Sequence, residues 1–217
     1  RPSVPPVSKP SAVRRRWISC SSARVGGGSL PGNGCTKGAR PDSGRLLAPT
    51  GGMAQAWSFI VVRDPQTRVA LADLIIRGGA QYFQSVRPAA PGSSPEEHAA
   101  WAAEYAETML GTYRQVPVWI AAVIVPRNVF PADQREAERT ADLTSIAFAM
   151  ENLFVAARAR GIGTVPTVFH WYVEQEFRAL LNLPADLEVP LVTPFGYPQE
   201  FPTSLPPALK AIKRPWK

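Results

Sequence analysis

The chain has few of the residues that carry out chemistry directly. Its 217 residues include two cysteines and two histidines. Cys20 and Cys35 both lie in the first forty residues. Two thiols make no disulfide framework, so a disulfide-stapled scaffold is excluded. They read as free thiols, which fits a reducing, cytoplasmic setting. No His, Cys and Asp cluster has the spacing of a metal site. A Gly-x-Ser-x-Gly elbow and an identifiable Ser/His/Asp set are both missing, which argues against a serine hydrolase. No Gly-x-x-x-x-Gly-Lys-Ser/Thr loop is present to cradle a nucleotide phosphate. The triple glycine at 26–28 follows no strand, so it is not a dinucleotide fingerprint. Of the histidines, His98 sits among alanines and reads as a surface residue, and His170, beside Trp171, reads as packing. No apolar run approaches the roughly 18 residues of a membrane span. With so few acids, bases and nucleophiles, either a cofactor carries the chemistry or there is none.

The net charge of +7 is unevenly placed. Residues 1–50 hold nine Lys or Arg and one acid, Asp42, whereas the rest of the chain has 15 basic and 16 acidic residues. The excess charge belongs to one end, so it is no signature of a nucleic-acid-binding domain. That end, residues 1–45, is rich in Pro, Gly, Ser and Arg and lacks apolar periodicity. Such a segment cannot bury enough apolar surface to offset its chain entropy. A disordered basic extension, an Arg- and Ser-rich targeting peptide and an out-of-frame stretch all fit. Met53 is the first methionine and lies inside a structured motif, which favours the out-of-frame reading. Residues 1–45 are therefore set apart from a single folded domain over 46–217.

From residue 46 the pattern becomes that of a folded protein. Residues 57–62 form a β-type run. Asp64-Pro65 opens a helix with Val69, Leu71, Leu74 and Ile75 on its apolar side. Residues 79–95 read as a loop. Ser94 caps a second helix over 95–113. Residues 116–125 are almost all apolar, as in a central strand covered on both faces. Leu143, Ile146, Ala147, Met150, Leu153, Phe154 and Ala157 then recur at steps of three and four, which predicts a long helix that Gly161 stops. An extended stretch follows to residue 169, then a short helix with Val173, Phe177, Leu180 and Leu181, and a last strand over 189–195.

Several segments, in order, resemble the FMN-dependent nitroreductase family. Ala48-Pro49-Thr50-Gly51-Gly52-Met53-Ala54-Gln55-Ala56-Trp57 is similar to the family's Ala-Pro-Ser-Gly-x-Asn-x-Gln-Pro-Trp segment, with Met53 where Asn is usual and Ala56 where Pro is usual. Glu151 to Arg158 resembles its central helix, and Gly161-Ile162-Gly163-Thr164 the glycine turn after it. Leu181-Asn182-Leu183-Pro184, Gly196-Tyr197-Pro198 and Lys213-Arg214-Pro215 match the family's closing motifs. The likeness covers residues 48–217, about four-fifths of the chain.

The resemblance implies an α+β fold with a central, mostly antiparallel sheet flanked by helices. It implies a homodimer in which both subunits touch FMN. Pro49, Thr50, Gly51, Gly52 and Gln55 would edge the flavin. Gly163 and Thr164 would present backbone groups near its reactive side, and Lys213 and Arg214 would hold its phosphate. The implied reaction is a ping-pong exchange: NAD(P)H gives hydride to FMN, and an electron-poor small molecule such as a nitroaromatic or quinone then takes it. No side chain need be catalytic in its own right. Three alternatives remain: a non-catalytic flavin binder, a flavin-dependent dehalogenase or flavin-fragmenting relative, and a nucleic-acid binder using the basic tail.

Overall fold

The computed structural model describes residues 48–201. The segment 1–45, Lys213 and Arg214 lie outside the described residues. Among the described residues, four strands form one sheet: β1 (Trp57–Val62), β2 (Val118–Ile124), β3 (Gly163–Thr164) and β4 (Glu188–Gly196). Their order is β1-β2-β4-β3, and every pairing is antiparallel. Four helices of the described residues flank the sheet: α1 (Pro65–Val86), α2 (Pro95–Leu110), α3 (Arg135–Arg158) and α4 (Glu174–Leu181). This is the α+β architecture expected.

Strand β2 shows why the sheet is covered on both sides. Successive side chains of a strand point to opposite faces. Ile120, Ala122 and Ile124 join Trp57, Phe59, Ile146, Met150 and Leu153 in a core beneath α3. Trp119, Ala121 and Val123 join Leu71, Ile75, Phe177 and Leu181 in a second core beneath α1 and α4. A strand apolar at every position therefore serves two cores at once.

Local signals set most of the helix ends. Asp64 caps α1 by accepting from Thr67 N–H and Thr67 Oγ1, both at 2.8 Å. These bonds hold its carboxyl below the usual range. Ser94 and Glu97 form a reciprocal capping box on α2. Gly161, at φ +73°, ends α3, and Ile162 N–H reaches back to the Ala157 carbonyl.

One stretch departs from the sequence expectation. Residues 79–86 continue α1 instead of forming a loop. Gly78 and Gly79 do not break the helix because packing holds it. A Cβ at Gly78 would overlap the Phe169 carbonyl oxygen, and one at Gly79 would lie 2.6 Å from Leu110 Cδ1. The two glycines let a neighbouring segment press against the helix. On α1 the apolar face turns away from Val69, which is exposed; on α3 Ala147 is likewise exposed.

Candidate functional site

The segment from Pro49 to Gln55 is a tight knot before β1. A single 3-10 turn spans Gly51–Met53. Three residues of the segment have left-handed backbones: Gly52 at φ +58°, Met53 at +54° and Gln55 at +46°. Left-handed geometry costs a residue with a side chain roughly 1–2 kcal/mol. Strain of this kind persists only where the surroundings enforce it, and it concentrates at ligand clamps. Here the amides enforce it. Met53 N–H donates to the Thr50 carbonyl and Ala54 N–H to the Gly51 carbonyl. Gln55 N–H donates to Thr50 Oγ1 at 3.0 Å, and Gly51 N–H to Ser145 Oγ on α3 at 3.1 Å. The Gly51 amide thus faces the protein and not a ligand. Above Gly52 the space is open, with nothing within 4 Å of where its Cβ would be. Pro49, Gly51, Gly52 and Met53 are exposed, and Thr50 and Gln55 half-buried.

The glycine turn after α3 is elsewhere. Gly163 pairs with Gly196 and Thr164 with Phe195, while Phe195 faces Val118 at the start of β2. The knot leads into Trp57, which faces Ile124 at the end of β2. The two groups of expected site residues therefore lie at opposite ends of the sheet. Along α3 they are anchored near Ser145 and Ala157, twelve residues and so about 18 Å apart. Gly163 also has Pro198 over it, 3.2 Å from where a Cβ would be. One chain does not bring these residues to a common point.

Between the two anchors, the outward face of α3 carries one charged residue, the exposed Glu151, among apolar ones. Phe148 and Val155 are 47% and 60% exposed, with Ala147 exposed beside them. The inward face carries a polar stripe that the apolar periodicity did not reveal. Glu138, Asp142 and Ser145 are each buried. Glu138 accepts from Val129 N–H at 3.0 Å and from Arg135 at 3.2 Å. Burial raises the pKa of this carboxyl, but these bonds outweigh it and hold the group below its usual value. Asp142 pairs with Arg127 at 2.8 Å. Both carboxylates fasten the connection from β2 to α3. The spacing of Glu138, Asp142 and Ser145, four and then three residues, places them on one helix face.

A cavity of about 330 Å³ opens at another place, lined by His170, Trp171, Phe177 and two ion pairs, Arg139–Glu188 and Arg178–Glu174. It contains none of the expected flavin residues. His170 is buried, and its Nε2 lies 2.9 Å from the Val189 carbonyl. Burial, against the pull of that carbonyl, pushes its pKa down to about 4. It is a neutral packing residue, as expected. Among the described residues there is no group of three or more His, Cys, Asp or Glu fit to hold a metal.

Comparison with known proteins agrees with this architecture. An iodotyrosine deiodinase of Thermotoga neapolitana is 22% identical over 156 residues, 70% of this chain and 72% of that protein. Protein DrgA of Synechocystis is 28% identical over 144 residues, 66% of this chain and 64% of its own length, so the chain spans just under two thirds of that relative. Among solved structures, oxidized iodotyrosine deiodinase bound to FMN and 3-iodo-L-tyrosine aligns with a TM-score of 0.56 at 21% identity, covering 80% of this chain and 83% of that one. B. megaterium NfrA2 aligns at 0.55 and 16% identity, over 76% and 58%. At these identities the structures speak for the fold. The model of the nitroreductase family matches residues 35–197, spanning the strained knot, all four strands and the long helix between the knot and the glycine turn: the chain belongs to the nitroreductase family.

Proposed function

We propose that this protein is a flavin-dependent oxidoreductase that works as a homodimer, binding FMN between two copies and passing hydride from NAD(P)H to an electron-poor small molecule. The observation that carries the reading is the separation of the half-sites. The knot and the glycine turn lie at opposite ends of the sheet and about 18 Å apart along α3. Antiparallel packing of α3 on a second α3 about a two-fold axis exchanges those ends. The knot of one copy then approaches the glycine turn of the other. The exposed Phe148 and Val155 supply an apolar surface for that packing.

FMN fits the family, the FMN-bound structural relative and the open space above Gly52. When bound, it would accept hydride and release it to the acceptor. The protein's own share is positional. Pro49, Thr50, Gly51, Gly52 and Gln55 would form one fixed edge, and Gly163 and Thr164 the other. Lys213 and Arg214 would hold the phosphate as charged donors. Reacting atoms held about 3–3.5 Å apart account for much of the expected acceleration. A cytoplasmic location fits this use of NAD(P)H. Among the described residues no helix is long and apolar enough to cross a membrane.

A second reading is reductive dehalogenation of an aryl halide, because both an iodotyrosine deiodinase sequence and a deiodinase structure holding 3-iodo-L-tyrosine resemble this chain. Steady-state assays with NADH and NADPH against a nitroaromatic, a quinone and 3-iodo-L-tyrosine separate the two. Turnover of the first two acceptors supports the main reading. Release of iodide alone supports the second. Bound flavin without turnover would leave a flavin-binding protein.

A further inference from the structure

Burying polar side chains is costly unless each finds a partner. On α3, Glu138, Asp142 and Ser145 are all buried on one stripe, and every partner found off the helix belongs to one of two loops. Ser145 is the member that meets the knot. Its hydroxyl donates to the Ala141 carbonyl at 2.7 Å, which fixes the rotation of the O–H and aims a lone pair at Gly51 N–H. The bond joins residues 94 apart in sequence. It ties the strained run of Gly52, Met53 and Gln55 to the longest helix of the domain.

We infer that Ser145 is the positioning residue that holds the knot in its left-handed shape and so presents a preformed edge to the flavin. This rests on the flavin reading above. Without the hydroxyl, Gly51 N–H would turn to water, and the left-handed residues would relax toward ordinary backbone. A ligand would then have to order the loop as it binds, which weakens affinity.

The test uses the full chain and the variants Ser145→Ala, Ser145→Thr and Thr140→Ala. Thr140 is an exposed residue of the same helix, and its hydroxyl bonds to the Glu136 carbonyl. Hydrogen exchange over residues 49–56 is followed without flavin, and FMN affinity by quenching of flavin fluorescence. Loss of one hydrogen bond of ordinary strength predicts about tenfold faster exchange and about tenfold weaker FMN for Ser145→Ala. Ser145→Thr should restore both, and Thr140→Ala should change neither. Unchanged exchange, or faster exchange with unchanged FMN affinity, would overturn the inference and leave the flavin reading standing. Failure of the unaltered protein to take up FMN would overturn both.

Discussion

At Gly78 a single methyl group would meet the backbone of Phe169. A backbone oxygen cannot swing aside as a side chain can, so Gly78→Ala should destabilise by about 3 kcal/mol, the upper part of the usual range for overpacking. Thermal unfolding of the variant checks this. His170 makes a prediction of a different kind. Its pKa falls from the usual 6.5 to about 4 because it is buried. Above pH 6.5 the ring is neutral in both folded and unfolded chains, and the site adds no pH dependence. Between about 6.5 and 4 the unfolded chain binds a proton that the folded chain refuses. Stability should therefore decline as pH falls through that window and level off below it. The full effect is on the order of 3 kcal/mol. Melts from pH 7 to 4 should show the decline, and His170→Gln should flatten it. Both positions were partly legible in the sequence. The histidine read correctly as packing. The stretch from residue 79 read as a loop, because the Phe169 backbone that packs on Gly78 is distant in sequence.

For the elements, the pattern of apolar residues was informative wherever each element is its own evidence of burial. Strand β2 is apolar throughout because two cores claim its two faces. The capped starts of α1 and α2 were visible as Asp64-Pro65 and Ser94-Pro95. What apolar periodicity could not show was the polar stripe of α3, where burial comes from loops folding back on the helix. The Arg127–Asp142 pair measures how strongly those loops are held. Its side chains are 22% and 6% exposed. Arg127→Ala strands a buried carboxylate and should cost about 3 kcal/mol, with faster hydrogen exchange over residues 125–134. Arg77→Ala removes a pair whose side chains are both more than half exposed, and should stay within about 0.5 kcal/mol. Equal losses in unfolding free energy would contradict this account of α3.

For the whole molecule, the knot and the glycine turn lie at opposite ends of the sheet, so on the proposed reading one chain does not close the site. The motifs were legible one by one, and their order along the chain pointed to the family. Their places at opposite ends of the sheet were not legible, because the strand order β1-β2-β4-β3 is set by long-range pairing. The proposed dimer, packed through α3, would resolve the separation. Phe148→Glu puts a charge into that surface and should turn a dimer into a monomer in sedimentation, with loss of FMN. A monomer that retained FMN would contradict the shared site. The most direct test of the central claim is the visible spectrum of the purified protein supplied with FMN, recorded without air before and after adding NADH or NADPH. The account predicts flavin bands that stay with the protein and bleach on addition of the nicotinamide. A protein that remains colourless after exposure to FMN would contradict it.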